Sequence, residues 1–227
     1  PSMAMPATFF FLLSFFFVCC FFFFFSYSVC CDAPCLLDFR RYYQALNRLA
    51  KEQGNSEEVY KLNLLMKQAK IKPEDRRVVT PCLDRAKEQT APAAAMELAD
   101  GTIVTGKTSG LLGASAAVLL NAIKMLGKIP HDTHLIAPSA IEPIQTLKTT
   151  YLGSKNPRLH TDEVLIALSM SAATDPASKK ALDQLPKLRG CQVHTSVMLS
   201  NVDIKTFKKL GIDLTSEPVY EHKKLYH

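Results

Sequence analysis

Apolar residues along this chain fall into two regimes. Between Phe9 and Val29 they follow one another almost without a break, and from Asp38 onward they recur at the intervals of folded secondary structure. Phe39, Tyr42, Tyr43, Leu46, Leu49 and Ala50 share one helical face and predict a helix over 38–53, which Gly54 stops. Ser56, followed by Glu57 and Glu58, predicts the cap and first turn of a second helix that buries Val59, Leu62, Leu65, Met66 and Ala69. Thr80-Pro81 supplies the cap and first position of a third, running to about Gln89.

The pattern then changes period. Two short runs, 93–98 and 102–105, flank Asp100-Gly101, a pair suited to the left-handed backbone of a tight hairpin. Gly106-Lys107-Thr108-Ser109 leads into a helix that Gly127 closes. Residues 134–137 predict a short buried strand, and Ser139 with Glu142 a capping box opening a helix to about Tyr151. A polar loop over 153–160 separates this from a helix over 161–173 and another from Asp175-Pro176 to about Leu185. Alternation over 191–200 predicts a strand with Cys191, Val193, Thr195, Val197 and Leu199 on one side. A helix over 203–210 and a final strand over 212–219 follow, the latter confined to an edge by Pro218. This order predicts an α/β fold, a three-layer α/β/α sandwich behind a small helical subdomain. The domains are then 1–37, a leader; 38–90, helical; and 91–227, the sandwich.

Composition sharpens the first boundary. Eleven of the 13 Phe lie between Phe9 and Phe25, and all 27 Lys and Arg lie after Asp38. Three readings of the leader stay open. Phe, Leu, Ser and Cys in runs are what a translated polypyrimidine tract gives, and the chain starts with Pro1, so a non-coding origin is the favoured one. A membrane anchor fits the length of the apolar run, and Arg40-Arg41 would then keep the body in the cytoplasm. A signal peptide fits least, for want of a basic start. Only Cys82 and Cys191 lie in the body, which argues against a disulfide framework and for a cytoplasmic protein. The net charge of +6 is spread over scattered Lys and Arg pairs without interleaved aromatics, so nucleic acid is not an expected partner.

Candidate chemistry is sparse. Gly101 to Thr108 formally matches the phosphate-loop pattern G-x-x-x-x-G-K-[ST], but Thr102 to Thr105 reads as a strand where the loop should be. Lys107, Thr108 and Ser109 then stand as a helix entrance able to hold an anion. A second cluster joins Ser154, Lys155, Asn156, Arg158, Thr161 and Asp162 at a helix start, with Glu163 beside them. Its cations and amides could together bind a small phosphorylated or carboxylate ligand, with His160 as the candidate acid/base, but a capped helix behind a solvated loop is the favoured reading. His131 and His134 read as a turn and a strand start, while Cys191 and His194 fall on opposite sides of a strand, so no metal site is expected.

Four strings carry a family likeness: 41–46 (RYYQAL), 100–109 (DGTIVTGKTS), 152–168 (LGSKNPRLHTDEVLIAL) and 218–227 (PVYEHKKLYH). Over about Arg40 to His227 the chain resembles the C-terminal part of the domain-of-unknown-function 1846 family. The resemblance implies a helical subdomain followed by one with cytidine-deaminase-like topology. It also implies a longer parent, mostly bacterial and uncharacterised, whose glycine-rich N-terminal part is absent here. Zinc deamination itself is excluded by the residues: the H-x-E and P-C-x-x-C ligands are missing, with Arg85 where the second Cys after Cys82 would stand. The functional expectation is a fragment of an uncharacterised enzyme or of a nucleotide- or phosphometabolite-binding protein whose key groups lie in the missing half, with no cofactor assigned. A non-catalytic interaction or homo-oligomerisation module is the alternative, and a membrane-anchored cytoplasmic domain the second alternative.

Overall fold

The structure, a computed structural model, describes residues 39–221. The leader and the last six residues lie outside these. Helix α1 covers 39–50, followed by α2 (Ser56–Gln68) and α3 (Val79–Gln89). Strands β1 (Ala93–Glu97) and β2 (Ile103–Lys107) precede α4 (Ala114–Leu126), α5 (Pro138–Thr146), α6 (Thr161–Ser171) and α7 (Pro176–Leu182). The chain continues through β3 (Gln192–Thr195), α8 (Asn201–Lys209) and β4 (Asp213–Ser216).

The four strands form one mixed sheet in the order β2-β1-β3-β4. β1 runs antiparallel to both neighbours, and β3 and β4 are parallel. Successive β1 residues face opposite sides, so Ala94 and Met96 join the core formed with α4 and α8, including Leu119, Ile123 and Phe207. Ala95 instead packs with Val78 and Cys82 at the start of α3. On that same side α1 lies over β3 and β4, with Tyr43 5.0 Å from the His194 ring. Helices therefore cover both faces, in the three-layer arrangement expected of the α/β pattern.

The hairpin turn forms where Asp100-Gly101 predicts it. Gly101 takes φ +81°, its N–H donates to Leu98 O at 2.9 Å, and Thr102 N–H donates to Asp100 Oδ1 at 2.9 Å. This is a three-residue loop whose last position needs the left-handed conformation that glycine reaches without strain. Gly106 is a glycine for a different reason: a Cβ there would stand 2.3 Å from the backbone nitrogen of Val118. Strand β2 and helix α4 approach too closely for any side chain between them.

Several predicted boundaries move, each for a local reason. Asn55, not Ser56, caps α2, its side chain accepting from Glu57 N–H at 2.9 Å. On α2, Leu65 is 53% exposed, and Met66 alone is buried. Helix α3 opens at Val79, ahead of Thr80-Pro81, because the proline is compatible with the whole first turn. The strand expected over 134–137 does not form. Leu135 and Ile136 are buried, but the Leu135 carbonyl accepts from the Ser178 hydroxyl at 2.6 Å rather than from a neighbouring strand. α5 then opens at Pro138, before the expected Ser139 box. β3 stops at Thr195, where the Ser196 hydroxyl accepts from Ala93 N–H at 2.9 Å and Thr195 Oγ1 donates to Val197 O at 2.9 Å, bending the chain out of the sheet. Among the described residues no helix is long and apolar enough to cross a membrane.

Cys82 is fully buried and its Sγ lies 3.3 Å from Ala93 O. Burial pushes its thiol up to about 12. A maleimide added at pH 8 is therefore expected to leave Cys82 untouched in the native protein and to modify it in denaturant; mass mapping that finds native modification would contradict the buried position.

Candidate functional site

Because β1 opposes both neighbours, β2, β3 and β4 all point the same way, and Lys107, Thr195 and Ser216 end at one rim of the sheet. The segments leaving that rim, 108–113, 196–200 and 217–221, gather there. Carboxyl ends of parallel strands are where α/β sheets most often open a ligand crevice, since the following helices turn their N-termini toward it. Here the N-termini of α4, α6 and α8 converge. Leu112 and Leu159 form a parallel bridge, Leu159 N–H donates to Leu111 O at 3.0 Å, and the start of α6 is tied to the start of α8 through Asp203.

Asp203 is 4% exposed and organises this junction. Its Oδ1 accepts from Thr161 N–H and from Thr161 Oγ1, both at 2.9 Å. Its Oδ2 accepts from Ser200 Oγ at 2.7 Å and faces His160 Nδ1 at 3.1 Å. Burial alone would push the Asp203 carboxyl up; the hydrogen bonds from His160, Thr161 and Ser200 outweigh it and hold the group below its ordinary value. The same bond raises His160, against the opposing effects of burial and of Lys148. His160 Nδ1 thus carries its proton toward Asp203, which leaves Nε2 as the working nitrogen. The His160 side chain remains 26% exposed, and among the described residues no hydrogen-bond partner stands at Nε2.

Ser200, His160 and Asp203 are the residue types of a nucleophilic triad, but their geometry is different. Ser200 Oγ lies 3.4 Å from Nδ1, the nitrogen already used by Asp203, so the imidazole cannot relay a proton between them. What the arrangement can do is present one oriented imidazole, backed by a buried carboxylate, for general acid/base work.

The structure brings part of the predicted cluster together and takes part of it away. Thr161 and His160 are central, through their bonds to Asp203. Arg158 is paired with Glu221. Ser154 and Asn156 shape the loop: Ser154 Oγ accepts from Asn156 N–H at 3.3 Å, and Asn156 Oδ1 from Arg158 N–H at 3.1 Å. Asp162 Oδ1 accepts from Glu163 N–H at 2.8 Å, in the first turn of α6. Glu163 Oε2 accepts from His160 N–H at 2.7 Å and from Lys148 Nζ at 2.8 Å, while Lys148 also donates to Arg158 O at 2.7 Å. The N-terminus of α6 is therefore already occupied by the chain's own carboxylates, and Lys155 is left as the exposed cation of the loop.

The helix entrance predicted at Lys107, Thr108 and Ser109 is corrected. Lys107 ends β2, with Nζ donating to Gln89 Oε1 at 2.6 Å. Thr108 N–H donates to Pro92 O at 2.8 Å, and Ser109 Oγ accepts from Leu112 N–H at 3.1 Å. The helix opens five residues later, at Ala114, because the chain must first cross the rim of the sheet. Its cap position, Gly113, offers no side chain, so α4 alone of the three converging N-termini has neither a capping side chain nor an acidic residue in its first turn.

Asp203, Ser200, Lys148 and Glu221 were not among the sequence candidates. Ser200-x-x-Asp203 is a capping signature, serine accepting from the backbone N–H three residues on, and it could have placed Asp203 inside a first turn. Its contact with His160, 43 residues away, leaves no local trace. The opposite face of the sheet holds a second polar chain. His194 is fully buried and burial lowers its pKa, so the neutral ring accepts from Thr215 Oγ1 at Nδ1 (2.8 Å) and donates from Nε2 to Glu217 Oε1 (3.1 Å). Tyr43 OH donates to the same oxygen at 3.3 Å, and its pKa is raised by burial and by Glu217. Among the described residues no group of three or more His, Cys, Asp or Glu is placed to hold a metal ion.

Comparison with known proteins places this geometry in context. Residues 74–226 match the family described as Domain of unknown function DUF1846, C-terminal. The chain is 51% identical over 195 residues to a UPF0371 protein of Corynebacterium aurimucosum, covering 86% of this chain and 39% of the relative. It is 51% identical over 187 residues to a UPF0371 protein of Corynebacterium glutamicum and 46% identical over 187 residues to one of Streptococcus pyogenes, in both cases covering 82% of this chain and 38% of the relative. The chain thus spans about two fifths of the length of the curated relatives it matches.

Proposed function

This chain belongs to the domain-of-unknown-function 1846 family, and on that premise we propose that it contributes a proton-transfer histidine, His160, to an enzyme site at the carboxyl end of the sheet. The observation that carries the reading is the pairing of His160 Nδ1 with buried Asp203, which fixes the ring and turns Nε2 outward. The substrate class that suits the surroundings is a small phosphorylated or carboxylate metabolite. Its anionic group would be received by the amides of Ala114 and Ser115 at the uncapped N-terminus of α4, where the helix dipole favours negative charge. The remaining substrate contacts are assigned to the part of the longer protein that this chain does not span. Cys82 and Cys191 are both free and buried, which supports a reducing, cytoplasmic setting.

Inorganic phosphate is the probe. Titrated into the isotopically labelled full chain, it is expected to shift the amide signals of Ala114 and Ser115 and the His160 imidazole in a saturable way, and His160→Gln should weaken the response. Unmoved signals at phosphate concentrations of roughly 50 mM, well above the millimolar range of weak anion sites, would refute the anion site.

A further inference from the structure

We infer that α2 is an intramolecular interface helix, whose outward apolar face packs against the polypeptide that precedes the C-terminal domain in the longer members of this family. The helix carries apolar side chains on two sides. Val59, Leu62 and Met66 turn toward the body, whereas Tyr60 and Leu64, one turn apart on the other side, are 68% and 46% exposed, with Leu65 at 53% on the flank. A helix of 13 residues that buries a single side chain gains little from packing, and isolated helices of that length are marginal in water. One that is apolar on opposing sides is built to lie between two partners.

Which partner covers it follows from where α2 sits. The match to the C-terminal family domain begins at residue 74, after α2 has ended. A stretch covering 195 of 227 residues nevertheless includes positions 33 to 195 wherever it is placed, so α1 and α2 lie within the region shared with the longer relative. α2 is thus shared with that relative yet outside the matched C-terminal domain, and the relative has about three fifths of its length beyond what this chain spans. A groove of about 600 Å³ between α1 and α2, lined by Arg41, Gln44, Glu57 and Lys61 among others, offers polar groups beside the same helix.

Peptide-level hydrogen exchange on this chain and on the full-length C. aurimucosum protein tests the assignment, independently of His160. The α2 amides are expected to exchange at least roughly tenfold more slowly in the longer protein, as buried helices do relative to fraying ones. Leu64→Lys in this chain should leave its melting temperature unchanged, because among the described residues nothing covers the face. Equal exchange in the two proteins overturns the inference. So does a lowered melting temperature for Leu64→Lys, which would mean that this chain's own residues occupy the face, or α2 protection that rises with concentration as this chain dimerises, which would assign it to a second copy.

Discussion

Gly106→Ala is expected to destabilise the protein by about 3 kcal/mol, and so to lower its melting temperature by roughly 10 °C. The added methyl would stand 2.3 Å from Val118 N and 2.7 Å from its Cα, both backbone atoms of α4, so no side-chain rotation can relieve the overlap. Either the helix withdraws from the sheet, opening space beside Leu119 and Ile123, or β2 loses its pairing with β1. Lys107→Ala and Thr108→Ala are the controls. Both residues would be essential to a phosphate loop, but among the described residues Lys107 reaches Gln89 alone, at the surface, and stability should change by less than about 0.5 kcal/mol. Differential scanning calorimetry separates the cases. A Gly106→Ala protein as stable as the parent would mean that strand and helix are not in this contact.

Asp203→Asn is the second large effect. The amide can still accept from Thr161 through its oxygen, but its NH2 replaces the oxygen that accepts from Ser200 Oγ and His160 Nδ1, so the serine hydroxyl loses that acceptor and the imidazole can pair only as its other tautomer. Disrupting these bonds at the junction of α6 and α8 should cost about 2–4 kcal/mol. His160 should simultaneously fall below its ordinary value, because burial and Lys148, which oppose Asp203, would remain. The sign of the pH dependence follows from the two shifts. His160, raised in the folded state, contributes stability that is full below about pH 6.5 and lost as pH rises through its folded value. Asp203, lowered in the folded state, contributes stability present above about pH 3.9 and lost as pH falls through its folded value. The difference between parent and Asp203→Asn should accordingly be greatest between about pH 4 and 6.5. Urea unfolding across pH, with imidazole signals followed by NMR, measures both; a difference independent of pH would remove Asp203 as the partner of His160.

The candidate site was only half legible because its two halves are encoded differently. His160 and Thr161 could be read from a helix start after a polar loop, since capping is a local property of backbone donors. Of the two cations in the expected cluster, Arg158 is taken by a partner that pattern alone does not reveal, Glu221, while Lys155 stays exposed. Likewise the helix entrance expected at Lys107 to Ser109 moves to Gly113, since a formal motif says nothing of how far a chain runs before its helix begins.

What the sequence determined by itself is what short-range physics governs: the hairpin at Asp100-Gly101, most helices with their apolar faces, and the α/β order; the last strand ends at Ser216, before the Pro218 expected to hold it at an edge. Only the tertiary structure decided that residues 134–137 are not a strand, that Gly106 is required by Val118, and that Asp203 stands behind His160. Each of those depends on a partner between 12 and 43 residues away in the chain, brought within contact by the packing of the layers, and the periodicity of a single segment carries no record of such a partner.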